Sequence, residues 1–289
     1  MAKSVANWTV LTGSTRGIGS EIAKLLAARG DPMILVNRSE AAAGAQRSTL
    51  IARNPDAAIE LITADLMDIN QVAGAAAKIN DLPGQVDVLY NNAGVLTGTK
   101  ILSAQGFESQ FAVNTLAPYQ LIQALRAKMA RPADASPAMV VLFASSAIKS
   151  PKALEVDTLA QPETVGGLLS TYAQTKLAVT ALASALADDL KSDNILIRAI
   201  DPGATKTEMT TGGNSGMPKL LTWLAPMLFG HADKQAAKLV ASADPNAFGR
   251  RTGIYVANRK ETNFPAAATD AGRHQALVSL LNRLLAAHA

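Results

Sequence analysis

Tyr172 and Lys176 are the residues whose types and spacing most directly suggest chemistry. They lie four apart in the segment Tyr172-Ala-Gln-Thr-Lys176, and residues at i and i+4 share one face of a helix. An ammonium group about 4 Å from a phenolate stabilises it by about 4 kcal/mol at an effective dielectric constant of about 20. That energy would lower a phenol pKa of about 10 by up to about three units, which favours general acid/base catalysis. Ser146 follows a predicted strand and could bind a substrate oxygen beside the phenol.

A glycine-rich segment, Thr12-Gly-Ser-Thr-Arg-Gly-Ile-Gly19, lies between the first predicted strand and the first predicted helix. Its glycines permit a tight turn in which the backbone approaches a pyrophosphate, and the helix N-terminus supplies amide donors. The spacing is G-x-x-x-G-x-G rather than the standard G-x-G-x-x-G, and a glycine-rich turn alone is often only a turn. The position between a strand and a helix favours dinucleotide binding.

The end of the second predicted strand bears on the choice of cofactor. A carboxylate there would bind the ribose 2′-hydroxyl of NAD, whereas arginine accommodates the 2′-phosphate of NADP. This chain has Asn37-Arg38-Ser39 without a carboxylate, and Arg16 precedes Gly17. Two guanidinium groups could each form forked, charge-assisted hydrogen bonds to one phosphate. The alternative is that Arg16 and Arg38 are solvated loop charges. The pattern predicts NADP(H) in preference to NAD(H).

The elements that must position these residues follow from the hydrophobic pattern. Short β-branched runs alternate with alanine- and leucine-rich segments of helical period, and the strands lack polar alternation. Such strands are buried on both faces, and their alternation with helices requires parallel crossovers, so the pattern predicts a doubly wound α/β sheet of about seven strands. The predicted strands are 8–12, 33–36, 59–63, 86–90, 139–143, 196–200 and 254–256. The predicted helices are 18–29, 40–53, 69–80, 107–131, 168–191 and 270–288.

Two segments interrupt this rhythm within what we expect to be a single domain over 1–289. Residues 148–168 carry two prolines and a Gly-Gly pair, which suggests a surface insertion. Residues 204–230 mix glycines with the apolar run 220–229 and follow a predicted strand, where such sheets bind ligands. The run is interpreted either as a lid over the substrate or as a core helix.

Composition excludes several classes of protein. The 289 residues include 48% hydrophobic and 17% charged side chains and no cysteine, so disorder, disulfides and thiolate metal sites are excluded. The net charge of +4 comes from scattered Lys and Arg, so nucleic-acid binding is not expected. The three histidines are far apart in sequence, so no metal is expected. No signal peptide or membrane span is predicted, and we expect a cytoplasmic protein.

Taken together, the motifs resemble those of the short-chain dehydrogenase/reductase (SDR) family, and the likeness covers essentially the whole chain. The resemblance implies a Rossmann fold, that is, a three-layer sandwich around the predicted sheet. The motifs occur in the family's order: Thr12-Gly13 with Gly17 and Gly19, Asp65, Asn91-Asn-Ala-Gly94, Asn114, Ser146, Tyr172 with Lys176, and Pro202-Gly203 followed by Thr205 and Thr207.

The resemblance implies a role for each matching residue. Tyr172 would be the catalytic acid/base, and Lys176 would bind the nicotinamide ribose and favour the phenolate. Ser146 would position the substrate oxygen, and Asn114 would support a water relay to Lys176. Asp65 would hydrogen-bond the adenine. The implied cofactor-binding residues are Gly13, Ser14, Thr15, Arg16, Gly17, Ile18, Gly19, Asn37, Arg38, Asp65, Leu66, Asn92, Ala93, Gly94, Tyr172, Lys176, Pro202, Gly203, Thr205 and Thr207.

The chain departs from the family pattern around the serine. Ser146 lies 26 positions before Tyr172, about twice the gap of compact members, and a longer loop here is similar to the retinol dehydrogenase and carbonyl reductase branch. The usual small glycine after the serine is replaced in Ala147-Ile-Lys149, which leaves both Ser145 and Ser146 open. Ser146 is preferred because it is the second residue of the pair.

The sequence therefore predicts an NADP-dependent oxidoreductase that transfers hydride between nicotinamide and a carbonyl or alcohol carbon. The apolar run 220–229 suggests an apolar substrate. The alternatives are a non-catalytic NADP-binding sensor, and an isomerase or epimerase that uses the cofactor transiently. The resemblance also implies a homodimer or homotetramer formed through the helices at 107–131 and 168–191.

Overall fold

One mixed sheet organises the fold in the computed structural model, which describes residues 7–162, 167–203 and 231–288. The strand order is β3-β2-β1-β4-β5-β6-β7-β8, with β1 to β7 parallel and β8 antiparallel to β7. The strands are β1 (Asn7–Thr12), β2 (Met33–Asn37), β3 (Ile59–Thr63), β4 (Gln85–Asn91), β5 (Ala138–Phe143), β6 (Ile195–Asp201), β7 (Ile254–Ala257) and β8 (Lys260–Thr262). The predicted doubly wound Rossmann architecture is confirmed, with one strand more than the seven expected.

Helices cover both faces of the sheet. Their ranges are α1 (Gly17–Arg29), α2 (Glu40–Arg53), α3 (Ile69–Asp81), α4 (Ser109–Phe111), α5 (Ala117–Met129), α6 (Gly167–Ala185), α7 (Ala187–Lys191), α8 (Ala232–Ala243) and α9 (Ala271–Ala286). Helix α8 was not predicted. Side chains of β5 alternate between two cores, with Val140 and Leu142 facing one and Met139 and Val141 the other. This alternation explains why every residue of β5 is buried.

The predicted helix 107–131 is interrupted by a π-helical turn, Ala112–Leu116, between α4 and α5. Asn114 lies in this turn, and π-turns inside helices are frequent at functional sites. The predicted helix 168–191 is likewise divided at Leu186 into α6 and α7. No helix within the described ranges is long and apolar enough to cross a membrane.

The described part of the predicted insertion, residues 148–162, packs against the body of the protein. Leu154, Val156 and Leu159 bury their side chains in the core that α5 and α6 share. Gln174 of α6 donates to the carbonyl of Ala153 and accepts from the amide of Glu155, at 3.0 and 3.1 Å. This part of the segment is therefore built into the fold.

Candidate active site

The strand order reverses between β1 and β4, so the crevice at their carboxyl ends is where a doubly wound sheet binds its ligand. The glycine-rich loop follows β1, and Asn92 follows β4. The Asn92 side-chain amide donates to the carbonyl oxygens of Thr12 and Gly13, at 2.9 and 2.8 Å. Asn92 therefore holds the start of the loop against the end of β4.

The glycines of this loop have steric reasons to be glycine. Gly13 has φ of +68°, a backbone conformation that L side chains rarely adopt. A Cβ on Gly19 would lie 2.3 Å from the carbonyl oxygen of Gly13 and 2.5 Å from the amide nitrogen of Asn92. The loop, α1 and Asn92 are therefore packed so closely that only glycine fits at position 19, at the helix N-terminus, where backbone amides can bind a phosphate.

The adenosine end of the expected site lies at β2 and β3. Arg16 and Arg38 are exposed, whereas Ser14 and Asn37 are buried and hydrogen-bonded to each other. Thr15 of the loop and Ile18 in the first turn of α1 are both partly buried. Gln46 of α2 also bonds Ser14, and sequence reasoning missed it because a polar residue on a helix gives no sign of so distant a partner.

Asp65 and Leu66 follow β3. One Asp65 carboxylate oxygen accepts from the amide of Met67 at 3.0 Å, and the Asp65 amide donates to Gln71. Leu66 is buried in the core. The turn is therefore fixed by local hydrogen bonds, and its backbone faces the same edge of the sheet as the glycine-rich loop.

Lys176 lies on α6 and is almost completely buried. Its Nζ donates to the backbone carbonyl of Phe143 at the end of β5, at 2.9 Å, and lies 6.0 Å from the ring centroid of Tyr172. Burial lowers the pKa of Lys176 to about 8, and the negative charge of Asp201 acts in the opposite direction. The lysine is thus positioned by β5 and lies beside the phenol.

The pKa of Tyr172 is raised above its ordinary value, mainly by burial. A hydrogen bond with Ser145 lowers the pKa, and the charge of Asp201 raises it further. The direction is opposite to the lowering expected from the Tyr172–Lys176 spacing alone. Desolvation of the phenolate is the largest effect, and the Lys176 ammonium is directed to the backbone carbonyl of Phe143.

Ser145 and Ser146 occupy different environments at the end of β5. Ser145 is partly buried, caps the 3₁₀ turn Ser146–Lys149 by accepting from the amide of Ala147, and is the hydrogen-bonding partner of Tyr172. Ser146 is exposed. The Ser145 hydroxyl thus forms a hydrogen bond with the phenol, and the choice of Ser146 as the catalytic serine stays a prediction.

Asn114 joins the loop after β4 to α6. Its side chain accepts from the amide of Val95 at 2.8 Å and donates to the Val95 carbonyl at 3.0 Å and to Thr175 Oγ1 at 3.1 Å. Thr175 Oγ1 in turn donates to the carbonyl of Tyr172, at 2.9 Å. Thr175 was not predicted, although it lies between Tyr172 and Lys176 in the sequence. These contacts hold α6 against the loop that follows β4.

Gly94 lies against the side chains of Asn114 and Lys176. A Cβ on Gly94 would lie 3.3 Å from Asn114 Oδ1 and 3.5 Å from Lys176 Nζ, so the glycine keeps this approach open. Ala93 is held nearby, because its amide donates to Thr12 Oγ1 at 3.0 Å. The residues Asn92, Ala93 and Gly94 thus connect the glycine-rich loop to Lys176.

The strand-six end carries Pro202 and Gly203. Asp201 accepts hydrogen bonds from the amide of Gly203 and the hydroxyl of Tyr255, at 2.8 and 3.2 Å. Both Pro202 and Gly203 are partly buried at the same edge of the sheet as Lys176. Thr205, Thr207 and the expected lid over 204–230 lie outside the described residues.

The fold and this constellation define a nucleotide-binding α/β enzyme. The family model described as short chain dehydrogenase matches residues 7–217. The chain belongs to the short-chain dehydrogenase/reductase family, whose members are NAD(P)-dependent enzymes acting on alcohols and carbonyls.

Individual relatives agree with that family. The chain is 30% identical over 217 residues to short-chain dehydrogenase TIC 32 A, chloroplastic, of Brassica napus, covering 73% of this chain and 68% of the relative. It is 28% identical over 200 residues to human retinol dehydrogenase 13, covering 69% and 59% of the two chains. Among solved structures, the Pseudomonas aeruginosa RhlG/NADP active-site complex has 25% identity and a TM-score of 0.70, covering 93% of this chain and 97% of that one.

Proposed function

We propose that this enzyme is an NADP-dependent oxidoreductase that interconverts a carbonyl and an alcohol on an apolar substrate. The observation that carries the proposal is the convergence of Tyr172, its hydrogen-bonding partner Ser145 and the buried Lys176 at the carboxyl edge of the sheet. An acid, a hydroxyl that can bind an oxygen, and a neighbouring cation are the groups that carbonyl reduction requires.

In reduction, Ser145 would donate a hydrogen bond to the substrate carbonyl oxygen and hold it next to the Tyr172 phenol. When bound, the nicotinamide supplies the hydride to the carbonyl carbon. The Tyr172 hydroxyl then gives its proton to the oxygen that becomes the alcohol, and Lys176 stabilises the phenolate that remains. In oxidation the same phenolate would accept the proton from the alcohol. Asn114 and Thr175 would hold α6 in place against the loop that follows β4.

The described residues fit a nicotinamide dinucleotide. Gly19 stands where a Cβ would clash at the start of α1, and Gly94 stands where a Cβ would crowd Asn114 and Lys176, so both positions favour a residue that lets a ligand approach the backbone. NADP is favoured because no carboxylate follows β2, where Asn37 is buried and Arg38 is exposed. The similarity to a structure described as an NADP complex supports the same choice.

An apolar substrate is supported by two independent features. The large hydrophobic side chains of Ile101 and Leu102 are 46% and 50% exposed in the segment that follows β4. The chain is also similar to a retinol dehydrogenase, and retinol is an apolar alcohol. The apolar run 220–229 was the original reason for this expectation, and it lies outside the described residues.

Turnover and binding together test the proposal. Purified protein should oxidise NADPH in the presence of at least one member of a panel of apolar aldehydes and ketones. Tyr172→Phe should abolish turnover and still bind NADPH, because the phenyl ring keeps the packing and lacks only the hydroxyl group that exchanges the proton. Tyr119→Phe is the matched control, since Tyr119 is a buried tyrosine whose hydroxyl bonds Asn282, away from the site. Tight NADPH binding without turnover on any substrate would instead support a sensor.

The remaining expectations concern assembly. We propose one domain over 1–289, supported by the single sheet to which strands from Asn7 to Thr262 contribute. A homodimer or homotetramer through α5 and α6 stays a prediction. Tyr119 of α5 bonds Asn282 of α9, so part of α5 is already occupied within the chain. Light scattering coupled to size-exclusion chromatography would measure the number of subunits.

A further inference from the structure

Ser14, the first residue after Gly13, is buried and has every polar group satisfied by two side-chain amides. Its backbone amide donates to Asn37 Oδ1 at 2.8 Å, and its hydroxyl accepts from Asn37 Nδ2 at 2.9 Å. The hydroxyl also donates to Gln46 Oε1 at 2.7 Å, and its backbone carbonyl accepts from Gln46 Nε2. Both hydrogen-bond donors of Ser14 are therefore engaged, none is left for a ligand phosphate, and the residue serves to fix the loop.

The two amides come from different elements. Asn37 ends β2, and Gln46 lies in the second turn of α2, whose N-cap is Ser39. Arg38 lies between them, directly after Asn37, and Arg16 lies two residues after Ser14. The contacts to Ser14 consequently join the loop that carries Arg16 to the strand end and helix that carry Arg38.

We propose that Gln46 is a positioning residue for the cofactor. Gln46 holds the loop that carries Arg16 against α2 and thereby favours cofactors that carry a 2′-phosphate. The inference rests on the proposed NADP-dependent function. A guanidinium group binds a phosphate in a fixed forked geometry, so its contribution depends on how well the backbone beneath it is fixed beforehand. Gln46 contributes two of the four hydrogen bonds at Ser14. Among the described residues of α2, it is the only one that forms a hydrogen bond with Ser14.

A general loss of stability and a loss of positioning have different consequences. Without Gln46, the bonds between Ser14 and Asn37 remain, so β1, β2 and the pyrophosphate loop keep their register. What is lost is the restraint between the loop and α2. NADPH, which carries the 2′-phosphate, should therefore lose more affinity than NADH, which does not.

The test compares Gln46→Met with the wild-type protein. Methionine has a similar length and cannot form either hydrogen bond. We expect the Kd of NADPH to rise about tenfold, since two ordinary hydrogen bonds that order the loop are removed. We expect the Kd of NADH to rise less, and kcat at saturating NADPH to change less than about twofold, because Tyr172 and Lys176 are untouched. The Kd values can be measured from the nicotinamide fluorescence of each reduced cofactor.

Two further variants keep the result interpretable. Thr49→Val is the matched control, because Thr49 lies on the same helix and its hydroxyl bonds only the carbonyl of Ala45, one turn earlier. Gln46→Glu retains an acceptor for the Ser14 hydroxyl but no donor for the Ser14 carbonyl, and it should also lower the NADPH-to-NADH affinity ratio. If Gln46→Met fails to fold, Gln46→Glu takes its place in the comparison with the wild-type protein.

The outcomes separate this inference from the proposed function. An affinity ratio that is unchanged in Gln46→Met and Gln46→Glu, while Arg38→Ala reduces it, overturns the positioning role and leaves the NADP preference intact. A wild-type protein that binds neither cofactor, or that prefers NADH, overturns both. A selective loss of NADPH affinity in the Gln46 variants, absent from Thr49→Val, supports the inference.

Discussion

The Nζ atom of Lys176 donates a hydrogen bond to the backbone carbonyl oxygen of Phe143, 2.9 Å away. The ammonium group is therefore held by the end of β5 before any ligand arrives, and its position does not depend on Tyr172. Lys176 is almost completely buried, and the carbonyl dipole compensates only part of the hydration that the ammonium group loses. The pKa of Lys176 therefore falls to about 8.

This buried lysine makes stability depend on pH. Unfolded lysine titrates near 10.5 and the folded one near 8, so between these values the unfolded state binds more protons and stability rises with pH. Lys176→Met removes the titration. The free energy of unfolding of the wild type should gain about 1.5 kcal/mol relative to Lys176→Met between about pH 8 and about pH 9.5. Urea unfolding of both ligand-free proteins across this range measures the difference, and a constant difference would contradict the shifted pKa.

The two adjacent serines allow a direct comparison. Ser145 is the partner of Tyr172, whereas Ser146 is exposed at the start of the 3₁₀ turn. Ser145→Ala should lower kcat/KM by about 100-fold or more, the typical cost of a lost oxyanion donor, while Ser146→Ala should change it less than about threefold. Steady-state kinetics at saturating NADPH decides between them. The reverse order would restore Ser146 to the role that the sequence suggested.

The uncertainty between these serines shows where sequence reasoning stops. Apolar runs were enough to locate β1 to β7. In β5, which is buried on both faces, the run has no polar alternation, whereas the edge strand β3 exposes Glu60 and Thr63. β8 was missed because Lys260–Thr262 is a strand only through its pairing with β7, and none of its three side chains is apolar. Helix α8, by contrast, buries Ala236, Leu239, Val240 and Ala243 at helical spacing, so its signal was present and was overlooked.

The residues of the candidate site likewise include some that the sequence could reveal and others that it could not. Tyr172 and Lys176 could be found because both belong to one helical turn. Gln46 could not, because its partner Ser14 is 32 residues away and only the packing of α2 beside β2 brings them together. Choosing between Ser145 and Ser146 requires the residue at which β5 ends, and a shift of one position redirects a side chain.

Gly19 should tolerate no side chain, since a Cβ there would lie within 2.5 Å of two polar atoms, one of which is backbone. Gly19→Ala is expected to weaken NADPH binding by about 100-fold or more, because the loop must move away from the position that presents its amides. Gly74→Ala is the control, as Gly74 lies in α3 with nothing within 4 Å of a Cβ. That variant should bind NADPH normally and gain about 0.5–1 kcal/mol of stability. Calorimetric titration and urea unfolding measure the two quantities.

Arg198 of β6 is fully buried, and its five donors bind five backbone carbonyls in the last turn of α8 and the connection that follows it. These are the carbonyls of Arg251, Ser242, Asp244, Pro245 and Ala247, at 2.7 to 3.2 Å. The guanidinium also lies 5.4 Å from the ring centroid of Phe248. Burial lowers its pKa to about 10, which still leaves the group charged at neutral pH. One side chain thus binds four backbone carbonyls of the connection between α8 and β7.

Replacing Arg198 should therefore destabilise the protein without touching the chemistry. Arg198→Met leaves several buried carbonyls unpaired, and we expect a loss of about 3 kcal/mol or more in the free energy of unfolding. Arg198→Lys should recover only part of this, because an ammonium group offers three donors against the five that arginine supplies. Urea unfolding measures both losses. At a temperature where the variants are folded, the KM for NADPH should remain that of the wild type. Equal stability of Arg198→Lys and the wild type would show that the forked geometry of the guanidinium group is not required.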